Sequence, residues 1–149
     1  MGLLVIHMRS DIQKMIWENK VCVMATVAGG APHCSLMSYA TNNDCCEIYM
    51  ATLKDTKKYR NLMANPSVSL LIDTREAGPA GKTRALTVTG VVQTVNNDQK
   101  LAEIRKTLLK KHPDLKNFFS NPDTQIIVIK ATALQLLSNV TDSYFEQLT

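Results

Sequence analysis

Two short connections between apolar runs constrain the fold of this chain more than any other feature. The β-rich run at residues 21–27 ends at Gly29 and Gly30, and the next run, at residues 33–40, ends at the turn residues 42–44. Connections this short join antiparallel strands, because a crossover between parallel strands needs about a dozen residues or more. The sequence therefore predicts an antiparallel sheet.

Apolar periodicity predicts six strands and three helices along the chain. The first helix begins at a capping box formed by Ser10 and Gln13, and the third is capped by Asp98. The second begins near Thr56 and stops before Pro66, because the residue before a proline avoids the α region. The predicted strands span residues 21–27, 33–40, 47–52, 67–72, 83–95 and 125–137, with a short helical turn near residues 114–119 and a polar tail to residue 149.

Several predicted strands are apolar on both faces, most clearly the run at residues 126–137. A sheet with one solvated face would alternate more cleanly between apolar and polar residues, so both faces of these strands must be covered. A closed barrel with a helix on one side, or a barrel with a partner subunit, meets that demand. We therefore expect one mainly β domain over residues 1–149, and Trp17 is expected to cover the barrel from its helix.

Composition and cysteine usage exclude several classes of protein. The net charge of +4 is too small for the basic surface of a nucleic-acid binder, and 5% aromatic residues are too few for a base-stacking surface. No run approaches the ~20 apolar residues of a membrane helix. The four cysteines form no C-x-x-C pair, and the histidines show no metal-ligand spacing, so we expect reduced thiols, no metal and a cytoplasmic location.

The segment from a strand end into the second helix carries the clearest chemical signal. Lys57 and Lys58 fall in the first turn of that helix, where anions are favoured and each cation costs up to ~1 kcal/mol. A bound dianionic phosphate would make the two lysines favourable instead of costly. It would contact backbone N–H groups, the Thr56 hydroxyl and both ammonium groups. Alternatively, the two lysines are simply solvated, and the negative charge of Asp55 offsets their cost. The residues alone leave both interpretations open.

Four stretches of the sequence are similar to a known family. Residues 30–37 read GAPHCSLM, residues 49–52 read YMAT, residues 56–71 read TKKYRNLMANPSVSLL, and residues 85–90 read ALTVTG. Together they resemble the pyridoxamine 5′-phosphate oxidase-like superfamily of FMN-binding split barrels. The resemblance covers roughly residues 12–95 and is strongest where Thr-Lys-Lys precedes the Asn-Pro-x-Val-Ser-Leu strand.

The resemblance implies a six-stranded antiparallel split β-barrel that forms a homodimer with FMN at the subunit interface. Thr56, Lys57 and Lys58 match the family's phosphate-binding residues, and Thr52 matches a residue that hydrogen-bonds the flavin. The strand at residues 35–38 matches the one that runs along the flavin ring, and the fifth strand would contribute from the partner. The cofactor-binding residues implied are Ser35, Leu36, Met37, Ser38, Ala51, Thr52, Thr56, Lys57, Lys58, Arg84 and Thr87.

Departures from the family pattern narrow the expected function. Ser35 stands where the true oxidases have an arginine, Ala85 stands where they have a glutamine, and residues 138–145 lack their Arg/His-containing segment. The resemblance therefore implies an FMN-dependent oxidoreductase of a small substrate, with NAD(P)H as a possible donor, and not vitamin B6 oxidation. A non-enzymatic flavin-binding or stress-response module is one alternative. A haem- or deazaflavin-binding relative that uses the same groove is another, and His33 beside Cys34 would suit a metal or haem ligand.

Overall fold

A computed structural model describes residues 8–74, 83–139 and 141–148 of the chain. The glycine-containing loop at residues 78–81, whose role the sequence leaves open, lies outside the described residues. The described strands are β1 (Val21–Ala28), β2 (Ala31–Ser38), β3 (Ala40–Thr41), β4 (Glu47–Leu53), β5 (Ser67–Asp73), β6 (Arg84–Gln93), β7 (Thr124–Ser138) and β8 (Asp142–Gln147). The helices are α1 (Ser10–Glu18), α2 (Lys57–Ala64), α3 (Asp98–Lys111) and α4 (Lys116–Phe119), and a 3-10 turn at Pro113–Leu115 precedes α4.

The described strands form one curled sheet in which every pairing is antiparallel. Its order is β2-β1-β5-β6-β7-β4-β3, and β8 pairs with the second half of β7. β2 and β3 stand at opposite ends of this order although they are consecutive in the chain. The sheet must therefore curl until its two ends approach each other, which gives a half-barrel and confirms the predicted antiparallel split-barrel fold.

Two apolar clusters cover the two faces of the sheet. The larger one fills the inside of the half-barrel, and α1 closes it with Ile12, Met15 and Ile16. The smaller one lies on the outside, where Ile104 and Leu108 of α3 pack against β4 and β7. The expectation that strands with two apolar faces are covered on both sides is therefore met for β4 and β7 within one chain.

The described residues contain eight strands where the sequence pattern predicted six. The predicted strand at residues 33–40 divides at Tyr39, whose side chain is fully buried and whose hydroxyl donates to the Ile16 carbonyl at 2.6 Å. The predicted polar tail contains β8, where Tyr144 packs against the core while its neighbours face solvent. Asn139, with a φ of 60°, marked the turn that precedes β8.

Three local predictions about the helices are wrong. The N-cap of α1 is Arg9, which makes no side-chain cap hydrogen bond, so the expected capping box at Ser10 does not form. The N-cap of α3 is Asn97, whose side chain accepts from the Lys100 N–H at 3.1 Å, and Asp98 is the first helical residue. Trp17 is 49% exposed because it falls beside the buried face of α1, so it does not cover the barrel.

Gly90 marks an irregularity in the pairing of β6 with β7. The register shifts between Thr89 and Gly90, and a Cβ added at Gly90 would lie 2.5 Å from Cγ2 of Ile129 and 2.8 Å from the Lys130 carbonyl oxygen. Only glycine allows the two backbones to approach this closely.

No described helix combines the length and apolar character needed to cross a membrane.

Candidate functional site

A groove of about 220 Å³ lies between β2, β4 and the start of α2. β2 and β4 are not hydrogen-bonded to each other, so the groove follows the open seam of the half-barrel. Leu53, Leu115 and Phe118 supply part of its apolar lining. Seven of the eleven predicted site residues also line it: Leu36, Met37, Ser38, Ala51, Thr52, Thr56 and Lys58.

The end of β4 is held in place by its neighbour in the sheet. Thr52 pairs with Gln125 of β7, and the Lys54 N–H donates to the Asp123 carbonyl at 3.0 Å just beyond the strand. The Thr52 side chain is only 1% exposed, and its hydroxyl oxygen lies 3.4 Å from that of Thr56. The strand therefore presents a fixed hydroxyl next to the start of α2.

Thr56 is the N-cap of α2, at the position where the sequence predicts this helix to begin. Its hydroxyl accepts from the Tyr59 N–H at 3.2 Å and donates to the Leu53 carbonyl at 2.9 Å. The hydroxyl proton is thus already used within the chain. The first-turn N–H groups left for a ligand are those of Lys57 and Lys58, since helix geometry gives them no internal acceptor.

Lys58 lines the groove, and Lys57, the residue before it, is exposed in the same first turn of α2. The first turn of α2 contains no acidic residue, and no carboxylate in the described parts of the chain forms an ion pair with either lysine. Asp55 instead pairs with Arg60 at 3.0 Å. Asp55 therefore does not compensate the charges of Lys57 and Lys58, and the helix start is electrostatically suited to an anion.

Four predicted site residues do not line this groove. Ser35 precedes the lining part of β2, and Lys57 is exposed beside it. Arg84 and Thr87 lie on β6, which β1 and β5 separate from β2 in the sheet. The Arg84 guanidinium lies 3.8 Å from the Asp11 carboxylate of its own chain.

The groove has three lining residues that are not among the predicted site residues: Leu53, beside Thr52 at the end of β4, and Leu115 and Phe118. Leu115 and Phe118 reach the groove from the 3-10 turn and from α4. The available signal was the apolar content of the short helical turn predicted at residues 114–119. Its contribution to the groove depends on how the segment after α3 folds back, which no local pattern specifies.

The histidines and cysteines do not form a metal site in the described residues. His112 is buried, and its Nε2 lies 2.7 Å from the Tyr39 carbonyl oxygen, so it is engaged in the core. His33 is half-buried on β2. The cysteines are free thiols, and burial raises the pKa of Cys22 to about 12.

Comparison with known proteins identifies the family. The family model described as pyridoxamine 5′-phosphate oxidase matches residues 8–138, which is most of the chain. The chain belongs to this family. No curated protein matches the sequence of this family member.

Solved structures confirm the fold of this pyridoxamine 5′-phosphate oxidase family member. A haem-binding protein from Mycobacterium smegmatis has a TM-score of 0.79 at 18% identity, covering 96% of this chain, which spans only 60% of that protein. A FAD-binding protein from Mesorhizobium loti has a TM-score of 0.70 at 19% identity, and the match covers 87% of this chain and 93% of that protein. HutZ, a haem storage protein from Vibrio cholerae, has a TM-score of 0.66 at 19% identity, and the match covers 93% of this chain and 94% of that protein. The family fold therefore occurs with both flavin and haem ligands.

Proposed function

We propose that the groove binds FMN, with the phosphate at the start of α2. The observation that carries this proposal is the pair Lys57 and Lys58, two cations without a carboxylate partner among the described residues, beside two unpaired backbone N–H groups. A phosphate dianion would meet both charges and both donors at once. The donor set of this segment therefore fits the phosphate of FMN.

The proposed site divides its work between polar and apolar residues. Lys57, Lys58 and the first-turn N–H groups hold the phosphate, and the Thr52 hydroxyl provides a polar contact at the buried end of the groove. Leu36 and Phe118 provide apolar surface for the flavin ring. When bound, FMN supplies electron or hydride transfer, and the protein's role is to hold and orient it.

We further propose that a homodimer completes this site. The groove in one chain is smaller than the ~300–1,000 Å³ typical of a pocket that encloses a drug-sized ligand. Leu36, at its edge, is 70% exposed, which is unusual for a large apolar side chain beside a binding groove. A second copy placed over this edge would cover Leu36 and could bring Arg84 and Thr87 to the flavin.

The proposed activity is a flavin-dependent oxidoreductase of a small substrate, located in the cytoplasm, with NAD(P)H as a possible donor. Pyridoxamine phosphate oxidation is not proposed, because Ser35 and Ala85 replace the arginine and glutamine of that enzyme. β8, at the end of the described chain, reads DSYFEQ and contains neither arginine nor histidine.

The visible spectrum and the mass of the cofactor released from the purified protein test the proposal. We expect the spectrum of oxidised flavin and the mass of FMN. A colourless protein that does not bind added FMN would overturn the proposal. Reduction of the bound flavin by NADH or NADPH, followed by turnover of an acceptor, would separate an enzyme from a flavin carrier.

Haem binding is the second candidate function. It is supported by the two haem-associated proteins of the same fold and by His33, a half-buried histidine on the strand that borders the groove. A Soret band in the purified protein that is lost in the His33→Ala variant would favour haem over flavin.

A further inference from the structure

A second cavity lies away from the proposed flavin groove, where the C-terminal ends of α1 and α3 meet β3. Its volume is about 330 Å³, which is enough for a ligand built around one ring. It shares no lining residue with the groove of β2, β4 and α2. The cavity is lined by Trp17, Ala40, Thr41, Thr107, Lys110 and Lys111.

Lys110 and Lys111 give this cavity its positive charge, and Lys111 is the half-buried one of the two. Its ammonium nitrogen lies 4.2 Å from the centroid of the Tyr39 ring, and burial lowers the pKa of Lys111 to about 8. Lys20 also lowers this pKa, whereas the thiols of Cys22 and Cys45 act in the opposite direction. A half-buried ammonium in these surroundings is stabilised by an anion that approaches it.

No carboxylate of the described residues pairs with Lys110 or Lys111. The carboxylate nearest in sequence to Trp17 is that of Glu18, which lies 3.8 Å from Lys14 instead. Lysines at a helix C-terminus are favoured by the helix dipole, which explains the exposed Lys110. Lys111 is half-buried with the Tyr39 ring as its partner, and no carboxylate of the described residues neutralises its charge.

Trp17 supplies a flat apolar wall beside these charges. Its side chain is 49% exposed, whereas Ile16 next to it is fully buried. An exposed indole at the edge of a cavity offers a face on which a planar ring can stack. The cavity therefore combines an aromatic surface with two ammonium groups that lack carboxylate partners.

We propose that this cavity binds a small aromatic carboxylate, with its ring against Trp17 and its carboxylate on Lys110 and Lys111. The proposal does not depend on the flavin site, because the two sites use different residues and different elements of the fold. The ligand class is set by the combination of a stacking surface with cations. A neutral ring would leave both ammonium groups without a counter-ion, and a small inorganic anion would leave Trp17 uncovered.

Trp17 is the only tryptophan in the chain, so its fluorescence reports directly on this cavity. We would titrate the protein as purified with benzoate, with benzamide as the neutral analogue, and with cyclohexanecarboxylate as the non-aromatic anion. We expect a saturable fluorescence change with benzoate and at least about tenfold weaker binding of the other two probes. Equal binding of benzamide would overturn the role of the charge, and equal binding of cyclohexanecarboxylate would overturn the aromatic preference.

A pair of matched variants locates the charge. Lys111→Met keeps the apolar stem and is expected to weaken benzoate binding about tenfold, while Lys106→Met, on the exposed side of the same helix, is expected to have no effect. Equal effects of the two variants would overturn the assignment. The comparison of benzoate with benzamide in the unmodified protein keeps the test valid if Lys111→Met folds poorly.

The pH dependence of benzoate binding has a defined sign. Lys111 carries its charge below pH 8 and loses it above, because burial lowers its pKa to about 8. Benzoate binding should therefore be strongest at neutral pH and weaken as the pH rises through this range. The other groups that face Lys111 are Tyr39, Cys22, Cys45 and Lys20, and the two thiols have pKa values raised to about 12 and about 11. Benzoate affinity that stays constant from pH 7 to about pH 9 would contradict the proposal.

Discussion

Replacing both Lys57 and Lys58 by alanine tests the proposed phosphate site most directly. The two lysines begin α2, where the helix dipole opposes cations and where no carboxylate of the described chain compensates them. FMN and riboflavin differ only in the phosphate, so the ratio of their affinities isolates that group. The double variant should therefore lose affinity for FMN and keep its affinity for riboflavin.

The magnitude follows from the exposure of the two side chains. Lys57 is exposed, and its contact with a phosphate is worth about 0.5–1 kcal/mol, as for surface ion pairs. Lys58 is half-buried in the groove lining, where a charge-assisted contact is worth about 1.5 kcal/mol, the low end for a hydrogen bond to a charged group. The sum of about 2 kcal/mol corresponds to about a thirtyfold rise in the Kd for FMN. The Kd for riboflavin should change by less than about twofold.

The same variant should have the opposite effect on the protein without ligand. Removing two cations from the first turn of α2 relieves their repulsion with the helix dipole and introduces a better helix former. The free energy of unfolding without FMN should rise by about 1 kcal/mol, as measured by urea unfolding. Weaker FMN binding combined with higher intrinsic stability is a signature that general damage to the fold would not produce.

The assay is flavin fluorescence, titrated with FMN and with riboflavin at low and at high salt. The matched control is Lys14→Ala with Lys106→Ala, which lowers the formal net charge from +4 to +2, the same change as in the test variant, at positions away from the groove. Equal losses of FMN and riboflavin affinity in the test variant would refute the phosphate assignment. A loss of FMN affinity in the control would show that only the net charge matters.

Three further predictions concern stability and thiol reactivity. Thr56→Ala removes the side-chain cap of α2 and should lower the free energy of unfolding by about 1 kcal/mol in urea, whereas Thr56→Ser should retain most of it. Gly90→Ala should lower Tm, with a cost of about 1–3 kcal/mol, because the added methyl group meets the Lys130 carbonyl; an unchanged Tm would contradict the close approach of β6 to β7. Cys34 is exposed and Cys22 is buried, so alkylation at pH 8 followed by peptide mass mapping should label Cys34 first, and faster labelling of Cys22 would be inconsistent with this burial.

Much of the fold was accessible from the sequence because it depends on local signals. Short turns require antiparallel neighbours, and the strands from β4 to β7 begin and end within a few residues of their predicted bounds. Thr56 and Pro66 limit α2 through capping and through the restriction before proline, and both effects act within a few residues. The family resemblance lies in the same segment, around the Thr-Lys-Lys motif.

The tertiary structure decided what depends on distant contacts. The groove exists because β2 and β4, which do not pair, come together only when the sheet curls, and Leu115 and Phe118 join it from beyond α3. β8 was missed because its six residues show no clear apolar alternation, with Phe145 exposed and Tyr144 packed on the core, and it is the pairing with β7 that makes it a strand.

The two lysine pairs show the same division between sequence and structure. The sequence alone determined that Lys57 and Lys58 stand at a helix start, since that follows from the residues next to them. Only the structure shows that Asp55 pairs with Arg60 and that Lys111 is half-buried on Tyr39 beside an exposed Trp17. Burial and the presence of a counter-ion are properties of the whole packed chain, and they convert a pattern of charges into a candidate binding site.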